Sequence, residues 1–164
     1  MNHQWNNEHD ACGIGAIVHI DGRKDHQLID QALQIVEKLE HRAGKDATGQ
    51  VGDGVGILSQ LPHRFFWREA RKLDIHLNEE GSYAVAMLFL PEDTYQRRQA
   101  KKTWEKVLSD EGLPFLGWRE VPIRKEILGQ AARECMPYIA QCFVGRPAHI
   151  AVGLPFERRL YVAR

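Results

Sequence analysis

The 164 residues carry 22 Lys plus Arg against 22 Asp plus Glu, so the chain is formally neutral with its histidines uncharged. That balance argues against a broad nucleic-acid surface or an acidic binding tail, and the length fits one domain with a sizeable core. Residues 1–11 lack the apolar stretch of a secretory signal, and no run nears the roughly 18 apolar residues of a membrane span, so a cytoplasmic protein with no membrane partner is expected.

After the polar leader, residues 13–20 read G-I-G-A-I-V-H-I, an apolar and partly β-branched run that predicts a buried strand, with a turn at residues 21–23. Between residues 26 and 41, Leu28, Ile29, Ala32, Leu33, Ile35, Val36 and Leu39 recur at helical spacing and predict an amphipathic helix. Residues 43–56 hold five glycines and predict a loop, followed by a short strand over residues 55–61. A helix over residues 63–73 follows, with Phe65, Phe66 and Ala70 inward.

Residues 78–82 form a turn, and Y-A-V-A-M-L-F-L over residues 83–90 predicts a strand covered on both sides. A helix over residues 92–111 is anchored by Tyr95, Ala100, Trp104, Val107 and Leu108 and is stopped by Gly112 and Pro114. Residues 115–122 read as a strand, residues 124–136 and 137–143 as two short helical pieces divided at Pro137, and residues 149–164 as two strands or one bent β segment. A strand at the very end would leave a sheet edge uncapped, as an incomplete domain would. Strands alternating with helices suggest an open parallel sheet, but the glycine-rich loop fits no nucleotide motif: G-x-x-x-x-G-K-[ST] is absent, and Gly52-x-Gly54-x-Gly56 precedes a strand.

The three cysteines, at 12, 135 and 142, show no metal-binding spacing, so no metal site is expected and Cys135 and Cys142 read as small core residues. Cys12 has two readings. It is either a cysteine packed at a strand edge or a nucleophile, with Gly13 and Gly15 leaving room for a substrate. A nucleophilic thiol needs a base, which can be one of His9, His19, His26 and His41 or, if residues 1–11 are removed, its own α-amino group, whose pKa lies near neutrality.

Ala11-Cys12-Gly13-Ile14-Gly15, then Asp21-Gly22-Arg23, resembles the start of the glutaminase domain in the large subunit of bacterial glutamate synthase. Leu39-Glu40-His41-Arg42 is similar to that family's H-R-G helix end, although Ala43-Gly44 follows here and displaces the turn by one residue. Residues 52–58 (G-D-G-V-G-I-L), 84–90, 117–122 (G-W-R-E-V-P) and 157–164 (E-R-R-L-Y-V-A-R) continue the likeness in order.

The resemblance implies a class II glutamine amidotransferase of the N-terminal-nucleophile hydrolase type: an α+β sandwich, α-β-β-α, with two mainly antiparallel sheets, truncated here. It replaces the open parallel reading. Residues 1–11 become a leader cleaved after Ala11, and residues 12–164 an incomplete glutamine amidotransferase domain. Cys12 becomes the nucleophile toward L-glutamine, with its freed α-amine as base. Gly13, His41, Arg42, Asp53 and Gly54 become a pocket margin, with Asp53 organising its loop. The family's oxyanion asparagine-glycine pair, arginine clamp and acidic amine ligand fall beyond this chain. FMN, an iron–sulfur cluster and reduced nicotinamide or ferredoxin are implied for the complete synthase and no cofactor for this chain; the implied partners are the downstream glutaminase and synthase regions, a small subunit and a second copy. The alternative is a catalytically inactive structural or interaction fragment.

Overall fold

The computed structural model describes residues 13–45, 49, 52 and 54–164. They divide into two compact units, Met1–Leu61 with Leu128–Ala132, and Pro62–Ile127 with Arg133–Arg164.

In the first unit, α1 spans Gln27–Lys38 and runs through Leu39 into a 3-10 turn, Glu40–Arg42. The Asp25 carboxylate accepts from the Gln27 backbone N–H at 2.9 Å, Asp30 lies in the first turn and Lys38 in the last, so both helix ends are charge-matched. The predicted stripe is half-buried at Leu28, Ile29, Ala32, Ile35, Val36 and Leu39, while Leu33 is exposed. Turn 21–23 forms with Gly22 at φ +66°, its N–H bonded to the His19 carbonyl at 2.9 Å.

The strands predicted over residues 13–20 and 55–61 are corrected to irregular chain. Ile14, Val18, Ile20, Val55 and Leu58 are all well exposed. β-Branched sequence makes a strand only where a neighbour supplies the ladder, and the described residues supply none here.

The second unit is built on a three-stranded antiparallel sheet, β1 Tyr83–Leu90, β2 Phe115–Glu120 and β3 Tyr138–Gly145, in the order β1-β3-β2. β1 pairs with β3 from Tyr83↔Gly145 to Leu90↔Tyr138, and a bulge between Phe115 and Gly117 shifts the β2 register. Two-residue alternation sends Cys142 and Val144 to one face, where Leu108, Leu113, Phe156 and Ala163 close a core with Ala84, Ala86, Leu88 and Trp118. Leu108 comes from α3 (Thr94–Asp110), and Phe156 and Ala163 come from α5 (Leu154–Ala163). Phe143 faces the other way and meets Phe66 of α2 (His63–Arg71) edge-on, with ring centroids 5.8 Å apart. The unit is therefore layered: α2, sheet, then α3 with α5.

Helix α3 is capped by Asp93, whose carboxylate accepts from the Gln96 N–H at 2.8 Å. Residues 124–136 give a 3-10 turn, Lys125–Ile127, and the short helix α4, Gln130–Cys135, much as predicted.

Several expectations are overturned in this unit. Residues 137–143 form the central strand, because β3 is buried on both faces and so loses the two-residue hydropathy signal. Within residues 149–164, Leu154–Ala163 form a helix and no strand, because Gly153 takes φ +81° at the N-cap, Pro155 fits the first turn, and Phe156, Leu160 and Ala163 fall on one face. The terminal strand edge inferred there is replaced by α5 over the core. β1 is not covered on both sides, since Met87 is 50% and Phe89 68% exposed. Phe65, Tyr95 and Cys135 are exposed, whereas Cys142 is fully buried as expected. The α+β class and antiparallel pairing hold, with one sheet among the described residues.

Candidate functional site

Cys12 and Asp53 lie outside the described residues, so the site is built from their chain neighbours. Gly13 and Gly15 approach α1 closely: a β-carbon on Gly13 would stand 2.9 Å from Leu39 Cδ2, and one on Gly15 2.5 Å from Ile35 Cγ2. These two positions need glycine because the backbone itself is the packing surface. Leu39 is also where α1 gives way to the turn bearing His41 and Arg42, with the Arg42 N–H bonded to the Leu39 carbonyl at 2.9 Å.

His41 is exposed, and its Nδ1 lies 2.8 Å from the Lys38 carbonyl oxygen. A carbonyl can only accept, so Nδ1 carries the proton and Nε2 keeps its lone pair in the neutral ring. The Arg42 side chain is exposed too. Beyond it, Lys45 Nζ lies 2.7 Å from Glu40 Oε1, and this pair holds the Glu40 carboxyl below its ordinary range and the Lys45 ammonium above its own. Both groups are solvent-exposed, so the pair locates the chain more than it stabilises it. An isolated antiparallel bridge joins Lys45 to Gly52, and a β-carbon at Gly52 would stand 3.0 Å from the Gly44 carbonyl oxygen.

The structure thus brings Gly13 to the helix end that carries His41 and Arg42, and brings the two ends of the glycine-rich loop together. Gly54 is exposed, and a β-carbon there would meet nothing within 4 Å, so no contact draws it toward the other predicted residues.

The second unit holds polar features that the sequence reading did not single out. Arg119, 8% exposed, donates to Gln141 Oε1 at 2.9 Å and to Glu69 Oε2 at 3.2 Å, tying α2 to the sheet. The sequence gives no sign of this beyond the place of Arg119 in the G-W-R-E-V-P motif. Glu69 also receives Lys72 at 2.7 Å, and Lys72 foremost, then Arg119, holds its carboxyl below the ordinary range against the opposing effect of burial. His63 Nδ1 lies 3.1 Å from the Tyr83 hydroxyl. Burial pushes the Cys142 thiol up to about 11, which leaves it protonated and a poor nucleophile at neutral pH. A cavity of about 420 Å³ lies between the β2 end and Tyr138, lined by Glu120, Pro122, Lys125 and Ile139 among others, with no thiol or hydroxyl nucleophile other than the Tyr138 phenol. Among the described residues no three His, Cys, Asp or Glu side chains converge as a metal site would require. No described helix is long and apolar enough to cross a membrane.

Comparison with known proteins matches residues 12–164 to the family described as glutamine amidotransferases class-II. The glutamate synthase [NADPH] large chain of Bacillus subtilis is 37% identical over 157 residues, which is 96% of this chain and 10% of that protein. Ferredoxin-dependent glutamate synthase 2 of Synechocystis is 37% identical over the same share of each chain. Ferredoxin-dependent glutamate synthase 1 of Arabidopsis thaliana is 38% identical, again over 96% of this chain and 10% of its own length. The chain spans about a tenth of the length of these relatives. With a match that starts on Cys12 and runs to Arg164, and with relatives alike in kind, the chain belongs to the class II glutamine amidotransferases.

Proposed function

We propose that the chain is the glutaminase part of a glutamate synthase, hydrolysing L-glutamine through Cys12 and passing ammonia to glutamate synthesis. The observation that carries this reading is that the family match begins on the cysteine itself and not at Met1. Residues 1–11 are then a leader removed after Ala11, and residues 12–164 the first part of the domain. Cleavage frees an α-amine on the same residue as the thiol, near enough in pKa to neutrality to take its proton.

The thiolate adds to the glutamine side-chain carbonyl, forming the S–C bond. The C–N bond then breaks as the α-amine returns the proton to the leaving nitrogen, which departs as ammonia. Water attacks the thioester, with the amine accepting its proton, and releases glutamate and the thiol. Gly13, His41, Arg42, Asp53 and Gly54 border the glutamine pocket. The packing of residues 13–15 on α1 supports a margin at Gly13 and the His41–Arg42 turn, and the exposed Nε2 of His41 can accept a hydrogen bond there.

The two-sheet sandwich belongs to this proposal as well. The exposure of Ile14, Val18, Val55 and Leu58 supports it, since a second sheet would give such apolar side chains cover. The oxyanion donors and glutamine ligands come from a downstream region, as do the FMN and iron–sulfur chemistry and the electron donor of the complete synthase. An oxyanion donor is worth roughly 3 to 4 kcal/mol in the transition state, so turnover depends on that region being in place.

Intact-mass analysis of the purified chain, paired with a glutamine-to-glutamate assay, tests the reading. Loss of residues 1–11 and a slow glutamate release that disappears in Cys12→Ala are the expected results. A mass that keeps residues 1–11, or release unaffected by Cys12→Ala, overturns it.

A further inference from the structure

Helix α2 carries a charge pattern that neither its packing nor the glutaminase reading uses. Its inner face is spent on the sheet: Phe66 and Ala70 are buried, and Glu69 is held by Arg119. Its outer face presents Arg64, Arg68 and Arg71, at positions i, i+4 and i+7, which align along one side of a helix over about 10 Å. Trp67 sits beside them, 43% exposed, with the Arg71 guanidinium 4.7 Å over its ring. Arg68 touches a carboxylate only at 3.7 Å, and that carboxylate, Glu69, is already engaged by Lys72 and Arg119. Neither Arg64 nor Arg71 forms an ion pair among the described residues.

In a chain with no net charge, three aligned arginines around an exposed tryptophan form a local concentration of two residue types enriched in interface hot spots. We propose that this face of α2 docks an acidic helix of a partner polypeptide, with carboxylates at the same i, i+4, i+7 spacing opposite the arginines and an apolar residue against Trp67.

The observations favour this partner over the other polyanions. A bilayer would need an apolar helix face, and that of α2 is buried against the sheet. A nucleic-acid site would need a longer basic surface than one stripe of three side chains with Glu69 beside it. A second helix presents its charges at the same 5.4 Å pitch as α2, so each arginine finds a carboxylate without bending either chain.

The test is anisotropy titration of the full chain against a labelled 20-residue helical peptide with Glu at i, i+4 and i+7, its Glu→Gln counterpart, a 20-nucleotide oligouridylate, and phosphatidylserine vesicles. The Glu peptide is expected to bind roughly tenfold tighter than the Gln peptide, as a few exposed ion pairs would give. That margin should vanish in Arg68→Glu/Arg71→Glu, and binding should weaken in Trp67→Ala. The milder Arg64→Gln/Arg68→Gln pair guards against a misfolded variant, with circular dichroism as the check. Equal affinity for both peptides, no binding at all, or tighter binding to oligouridylate or vesicles overturns the proposal.

Discussion

Gly15 stands against Ile35 of α1 with no space for a side chain: a β-carbon there would lie 2.5 Å from Ile35 Cγ2, closer than real β-carbon contacts come. The residues that follow Cys12 are thus held on α1 by backbone contact. Gly15→Ala forces either Ile35 or the 13–15 segment to move, a cost of about 1 to 3 kcal/mol for a methyl pressed into a packed contact. Gly54→Ala adds the same methyl where nothing lies within 4 Å and should fall within about 0.5 kcal/mol of the parent. Denaturant titration of the pair of variants decides it, and equal stabilities would show that the close approach does not hold the segment.

Glu69 makes the stability of the sheet unit depend on pH. Lys72 and Arg119 depress its folded-state pKa below the ordinary 4.5, so between the two values the unfolded chain binds the extra proton. The stabilisation is complete above about pH 4.5 and is lost as pH falls through the lower, folded value. Glu69→Gln should be less stable than the parent at neutral pH, because the buried Arg119 loses its carboxylate, and should lose less on acidification. Urea midpoints measured from neutral pH down to acid should therefore converge for the two proteins; parallel curves would remove Glu69 from the account.

The same physics explains which elements could be read from sequence. α1 and α3 show uninterrupted helical periodicity, and β1 is a long apolar run between a turn and Pro91, so each was legible within a few residues. β3 was not, because residues on both of its faces are buried, and Ala140 and Gln141 then read as helical beside Pro137. α5 was legible from Gly153 and Pro155, but the apolar runs around Val152 and Val162 drew the reading to strands, although both side chains are exposed. The strands read over residues 13–20 and 55–61 are not formed, because the described residues offer no pairing strand and local propensity cannot supply one.

The site follows a similar division. Cys12 and the His41–Arg42 turn, which belong to the proposal, are suggested by short ordered motifs. The contacts of Gly13 with Leu39 and of Lys45 with Gly52 could not, because they depend on where the chain turns back on itself. Arg119 went unnoticed for a related reason: a lone arginine in a strand reads as outward until a glutamate on another element, 50 residues away, is seen to meet it.

Leu108 anchors α3 in the core on the α3/α5 face of the sheet, 1% exposed and clustered with Cys142, Val144 and Phe156. Leu108→Ala removes most of a fully buried side chain and leaves a cavity bordered by both helices and the sheet. The expected loss is about 2 to 5 kcal/mol, visible as a lower denaturation midpoint. Tyr95→Ala on the same helix, where the ring is 69% exposed, should cost far less. Comparable losses would mean that α3 is held by its exposed side instead.

The two described cysteines should part sharply in reactivity. Cys135 is exposed at the end of α4, whereas Cys142 is fully buried between β1 and β2, where burial foremost raises its thiol to about 11. Alkylation requires both access and thiolate, and Cys142 lacks each in the folded state. Peptide-level mass spectrometry after iodoacetamide at neutral pH should show Cys135 modified at least roughly tenfold faster. Denaturant should bring the two rates together, because unfolding restores both access and an ordinary thiol pKa. The raised value also sets a pH limit: its contribution to stability is present below the ordinary thiol value of 9.0 and is lost as pH climbs toward about 11. Cys142→Ala should therefore soften the alkaline fall in the denaturation midpoint. Fast labelling of Cys142 in the native chain would mean that β3 opens readily and is not the rigid centre of the sheet.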